Sequence, residues 1–155
     1  MANDTDHETK TEDTPLPPAI VFHSLAQAEA ALSAGRELGV AVTLISAPSA
    51  AGYAGPGWFR SVVEQACAAH PDVDVAAVLD CGEFSGLALA ALRDGVAVIR
   101  FSGDTADKIA DIAGQLGARV IAGRPEALDL AGIERRGWDM VRACRKWLEK
   151  HRNDR

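Results

Sequence analysis

An α/β fold built on a parallel sheet is predicted by three observations. Short apolar runs recur at residues 19–22, 40–45, 73–79, 96–101 and 119–122. The segments between them space apolar residues three or four apart, the period of a helix. Glycine, proline or short polar clusters punctuate the junctions. Strands alternating with helices pair in parallel through right-handed crossovers. The predicted architecture is a five-stranded parallel sheet with helices on both faces in the flavodoxin-like order 2-1-3-4-5. A half (βα) barrel closed by dimerisation shares the local pattern and stands as the alternative.

The elements follow in order. Residues 1–18 form an acidic tail ending in Pro15, Pro17 and Pro18, too poor in large apolar side chains to pack, and so expected to be disordered. A single domain spans 19–152. The first strand stops at His23, and Ser24 is a helix N-cap ahead of Leu25, Ala28, Ala31, Leu32 and Leu38. Gly39 ends that helix. Residues 46–57, punctuated by Pro48, Gly52, Gly55, Pro56 and Gly57, read as a long loop. A helix over 58–69 carries Phe59, Val62, Val63 and Ala66 on one side. The third strand runs into the turn Asp80-Cys-Gly-Glu-Phe-Ser, followed by a helix over 86–93. Asp94-Gly95 precedes the fourth strand, and Ser102-Gly-Asp-Thr leads to a helix with Ile109, Ile112, Ala113 and Leu116. A final helix over 134–151 repeats Trp138, Val141, Cys144, Trp147, Leu148 and His151 on one stripe.

Charge is distributed unevenly. The net −6 divides into −4 for residues 1–14, −6 for 15–133 and +4 for 134–155. The basic stretch is short and lies on an acidic body, which argues against nucleic acid as partner. No run approaches the roughly 20 apolar residues of a membrane span. The acidic start is the reverse of a signal peptide, so no membrane and a cytoplasmic location are expected. Cys67, Cys81 and Cys144 have neither C-x-x-C spacing nor an even count, so free thiols are expected, with no metal site and no cofactor. Lys10, Lys108, Lys146 and Lys150 all lie away from strand ends, which argues against Schiff-base chemistry.

In either architecture ligands gather at the carboxyl ends of the strands. Those ends offer His23 and Ser24, Ser46, Asp80 with Cys81 and Glu83, Ser102 with Asp104, and Arg124. With strands about 4.8 Å apart, adjacent first and third strands bring His23 to Asp80 and Cys81, a candidate catalytic group in which imidazole activates a thiol. The bland reading of the same residues is a buried cysteine filling the core and a histidine bonding a loop carbonyl. Gly52, Gly55 and Gly57 give the 46–57 loop the composition of a lid or an anion-binding backbone, or of a surface loop packed down by Tyr53 and Trp58.

Asp80 ending strand three, Ser102 after strand four and Arg124-Pro125 after strand five, with the texts Val78-Leu79-Asp80 and Leu116-Gly117-Ala118, make residues 19–130 resemble a response-regulator receiver domain. The resemblance implies a phosphoryl-accepting aspartate at Asp80. It departs at His23-Ser24, where that family has an acidic Mg²⁺-binding pair, and at Arg124, where it has lysine. Two functions are carried forward. One is a non-catalytic, receiver-like regulatory or interaction domain, homo-oligomeric through its last helices, with a protein partner or a small anionic ligand. The other is a small enzyme or ligand-binding protein using His23, Asp80 and Cys81.

Overall fold

The computed structural model describes residues 14–152. Six strands form one wholly parallel sheet: β1 (Ala19–Val21), β2 (Val42–Ile45), β3 (Val75–Asp80), β4 (Val98–Arg100), β5 (Arg119–Ile121) and β6 (Ala127–Asp129). Seven helices connect and follow them: α1 (Leu25–Leu38), α2 (Ala50–Tyr53), α3 (Gly55–Ala69), α4 (Ser85–Arg93), α5 (Ala106–Gln115), α6 (Leu130–Arg135) and α7 (Met140–His151). None of the described helices is long and apolar enough to cross a membrane.

Local chemistry sets the boundaries. Ser24 caps α1 by accepting Gln27 N–H at 3.2 Å, and Gly39 ends it at φ 66°, where a Cβ would be strained. Asp139 caps α7 by accepting Arg142 N–H at 3.1 Å. Gly137, at φ 69°, breaks the helix expected over 134–151 into α6 and α7. The 46–57 segment is not a loop, because α2 and the first turn of α3 occupy most of it. Ala50 and Ala51 are buried there, and Trp58 stacks on Phe22 with centroids 5.9 Å apart.

The strand order is β5-β4-β3-β2-β1-β6. This corrects the expected five-stranded order 2-1-3-4-5, since β2 lies between β1 and β3 and a sixth strand flanks β1. Helices on both faces are also corrected. Ile20, Phe22, Leu44, Leu79, Ile99 and Phe101 join helix residues such as Leu32, Phe59, Ala91, Ile109 and Leu148 in one core. Ala19, Val21, Ile45 and Val78, with Val98, Ile121 and Ala127, form a second, small cluster that contains no helix residue. The helices pack as neighbours in the sequence α7, α1, α3, α4, α5, following the strands along one face. This is the winding of a (βα) barrel, in which each helix lies outside its own strand pair.

The winding is incomplete. β5 and β6 do not pair, and a cavity of about 340 Å³ lies beside them, lined by Arg119 and Ile121 of β5, by Glu126 just before β6 and by Trp147. Residues 15–18 border the same cavity. Of the tail expected to be disordered, residues 1–13 lie outside the described residues, and residues 16–18 are part-buried. Leu16 touches the inner cluster, Thr43 N–H donates to Pro18 O at 3.0 Å, and Thr43 Oγ1–H donates to Pro17 O at 2.8 Å.

Candidate functional site

Side chains alternate across a strand. The inner residues at the carboxyl ends are therefore His23 beyond β1, Asp80 on β3, Arg100 on β4 and Asp129 on β6. Asp80 and Arg100 are register partners, and so are Val21 and Asp129. Arg124 joins this mouth from the β5–β6 connection.

Asp80 is the centre of the arrangement and has no solvent exposure. Its Oδ1 accepts Gly82 N–H at 2.8 Å and Ser49 N–H at 3.1 Å, with Arg100 Nη1 at 3.6 Å. Its Oδ2 accepts Arg124 Nη1–H at 2.9 Å, and Arg124 Nη2–H donates to Ser46 O at 2.9 Å. Arg124 thus reaches from beyond β5 to the ends of β3 and β2, a span that requires the sheet to curl. Ser46 is buried, and its Oγ accepts Asp80 N–H at 2.9 Å. Removing one partner of such a buried pair leaves an uncompensated charge, at a cost of about 3–5 kcal/mol.

The turns around Asp80 are shaped for these contacts. Ser49 has φ 57°, the single positive value among described non-glycine residues, and its N–H points to Asp80. A Cβ on Gly82, at φ 60°, would stand 2.4 Å from Ser49 Oγ. Ser85 and Thr105 hydroxyls, 2.6 Å apart, tie the turn after β3 to the turn after β4.

His23 is not beside Asp80. Its Nε2 lies 2.8 Å from Asp129 Oδ1, which also accepts Ala131 N–H at 2.9 Å as the cap of α6. Buried Gln27 fixes the loop, accepting His23 N–H at 2.8 Å and donating to Glu134 Oε2 at 3.1 Å. The expected meeting of His23 with Asp80 and Cys81 fails because β2 separates their strands.

Cys81 faces the helices. It is fully buried in the larger core, and burial, reinforced by neighbouring Asp80, pushes its thiol up to about 12 from an ordinary 9.0. That burial disfavours the thiolate a nucleophilic cysteine needs. Ser24 is occupied as a cap. Gly52 lies within α2, Gly57 within α3, and Gly55 joins them at φ 85°. Glu83, Ser102 and Asp104 are exposed at the rim of the mouth.

Arg100 and Asp129 were missed from the sequence. An arginine within the apolar run 96–101 was the available signal for the first, since a charge inside a strand marks a position with a polar partner. Asp129 carried no such signal, because a three-residue strand has no detectable period.

The fold and mouth define the class: a six-stranded, singly wound α/β domain with a polar cluster at its strand ends. No family profile and no curated protein matches the chain. Among solved structures it is similar to a candidate fructose-1,6-biphosphate aldolase from Coccidioides immitis, at 18% identity and a TM-score of 0.56. The match covers 75% of this chain and 42% of that one, so the chain spans less than half of its neighbour's length. At this identity the likeness concerns fold alone.

Proposed function

We propose that this chain is a non-catalytic interaction domain, receiver-like in role, that docks a second copy of itself on the groove between α6 and α7. One observation carries the reading. A groove of about 530 Å³ runs along α7, floored by Leu128, Ile133, Trp138 and Trp147 and rimmed by Arg142, Lys146 and Lys150. Trp138 is 57% exposed in it, a large apolar area that no element among the described residues covers. Arg136 lies over the Trp138 ring at 4.9 Å, adding a cation beside it.

Charge complementarity favours a second copy as occupant. The rim is basic, whereas residues 15–133 carry −6, so the groove of one protomer meets an acidic body in the other. Exposed tryptophan and basic side chains at one place are the composition of an interface centre. The chemistry of the strand ends supports the non-catalytic part, because Asp80 is fully engaged and Cys81 is buried on the helix side.

Sedimentation velocity across a concentration series tests this. The wild-type chain is expected to dimerise, more weakly as salt rises, and Trp138→Ala to weaken the dimer by about tenfold or more. A wild-type chain monomeric throughout, or an equilibrium unmoved by Trp138→Ala, overturns the proposal.

A further inference from the structure

At the mouth of the sheet two guanidinium groups share one carboxylate, Asp80, while the other inner carboxylate, Asp129, is paired with His23. Arg100 and Arg124 both approach Asp80, from 3.6 and 2.9 Å, and no other carboxylate pairs with either among the described residues. Arg124 is held rigidly by Asp80 and Ser46. Arg100 uses Nε–H on Ala122 O at 3.0 Å, and its Nη1 stands too far from Asp80 for a good hydrogen bond. A guanidinium has five N–H donors, so the outer edge of the Arg100 fork is left for a further acceptor. Both side chains are part-buried, at 21% and 23% exposure, where a charge is only partly screened.

Neighbouring groups are placed to receive a ligand. Register sets Val21 opposite Ile45, which brings His23 level with Ala47, one residue past the carbonyl that holds Arg124. The Arg124 guanidinium, at Ser46 O beyond β2, is therefore one strand position from His23, whereas Arg100 on β4 is three positions from it. Gly82 and Gly103 sit too close to Ser49 Oγ, the Phe101 ring and the Glu83 carbonyl to admit a Cβ.

We infer that this mouth is a binding site for a small oxyanion, a carboxylate or phosphate borne by a small molecule, held by the forks of Arg100 and Arg124. Planar guanidinium forks match both anions in bidentate fashion. Asp80 then has a second role, as the internal anion that keeps the arginines in place and competes with the ligand.

Isothermal titration with inorganic phosphate and with malonate, at fixed ionic strength set by chloride, tests the site. At least one probe is expected to bind saturably with one site per chain, and the stronger of the two identifies the chemistry. Arg100→Met is expected to weaken it about tenfold, the loss of a charge-assisted contact. Asp80→Asn, which removes the competing charge at nearly the same shape, is expected to tighten it if the variant folds by circular dichroism. Absence of saturable heat from both probes overturns the inference, as does binding equal in wild type and Arg100→Met. Binding lost in Lys146→Gln and kept in Arg100→Met would place the anion on the α7 groove and also overturn it. The dimer does not depend on these residues, so the two proposals fail separately.

Discussion

Residues at the strand ends show how burial decides chemistry. Cys81 and Cys144 are fully buried, and burial raises each thiol to about 12, helped by Asp80 and Asp139 respectively. Cys67, half-buried, is raised by burial as well. A thiol with a folded value above its unfolded one stabilises the fold below the unfolded value, and that contribution is lost as pH rises toward the folded one. Urea midpoints are therefore expected to hold to about pH 9 and then fall between about 9 and 12. Cys144→Ala should fall less steeply over that window, and a parallel decline would contradict the assignment. Asp80 makes the complementary point. Its carboxylate was read as a reacting group, but two backbone N–H groups and two guanidinium groups surround it, so it organises the mouth and leaves reactivity to what it organises.

Elements depend on caps and on the one face each buries. α7 is strongly basic, yet Cys144 and Leu148 are fully buried against α1. Its start is held by Asp139. Asp139→Ala is expected to cost about 1 kcal/mol, and Leu148→Ala about 2–5 kcal/mol for the cavity it opens, both read from urea midpoints. If the cap cost more than the core residue, α7 would be held by its end and not by its stripe. The helix expected over 134–151 splits because Gly137 takes a left-handed conformation, a choice that composition permits but does not announce. The 46–57 segment shows the reverse. Its glycines and prolines suggested a lid, yet two buried alanines and the stacking of Trp58 on Phe22 give a helical turn enough packing to form.

At the scale of the whole molecule, the open winding poses a closure problem that the N-terminal segment answers. Leu16 covers the inner cluster, and Thr43 holds the two carbonyls that follow it, Pro17 O and Pro18 O. Leu16→Ala is expected to destabilise the domain by about 1–3 kcal/mol, measured by thermal or urea unfolding. An unchanged midpoint would mean that the inner face needs no cover. The charge asymmetry also acts at this scale, placing a basic, aromatic groove on an otherwise acidic body.

What the amino-acid sequence determined by itself was local: five of the six strands, the helices between them, the caps at Ser24 and Gly39, and the strand ends as the place where His23, Ser46, Asp80 and Arg124 collect. These follow from periodicity and turn chemistry, which act between near neighbours. Tertiary structure alone decided the strand order, and with it which groups meet. A continuous apolar run records that both faces of its strand are buried but not what buries them, and the same Ala, Val and Ile pattern suits a helix layer or a narrow inner face. Once the helices had all packed on one side, β2 came between His23 and Asp80, the histidine found Asp129, and Arg124 crossed the mouth to reach Asp80 beside Arg100.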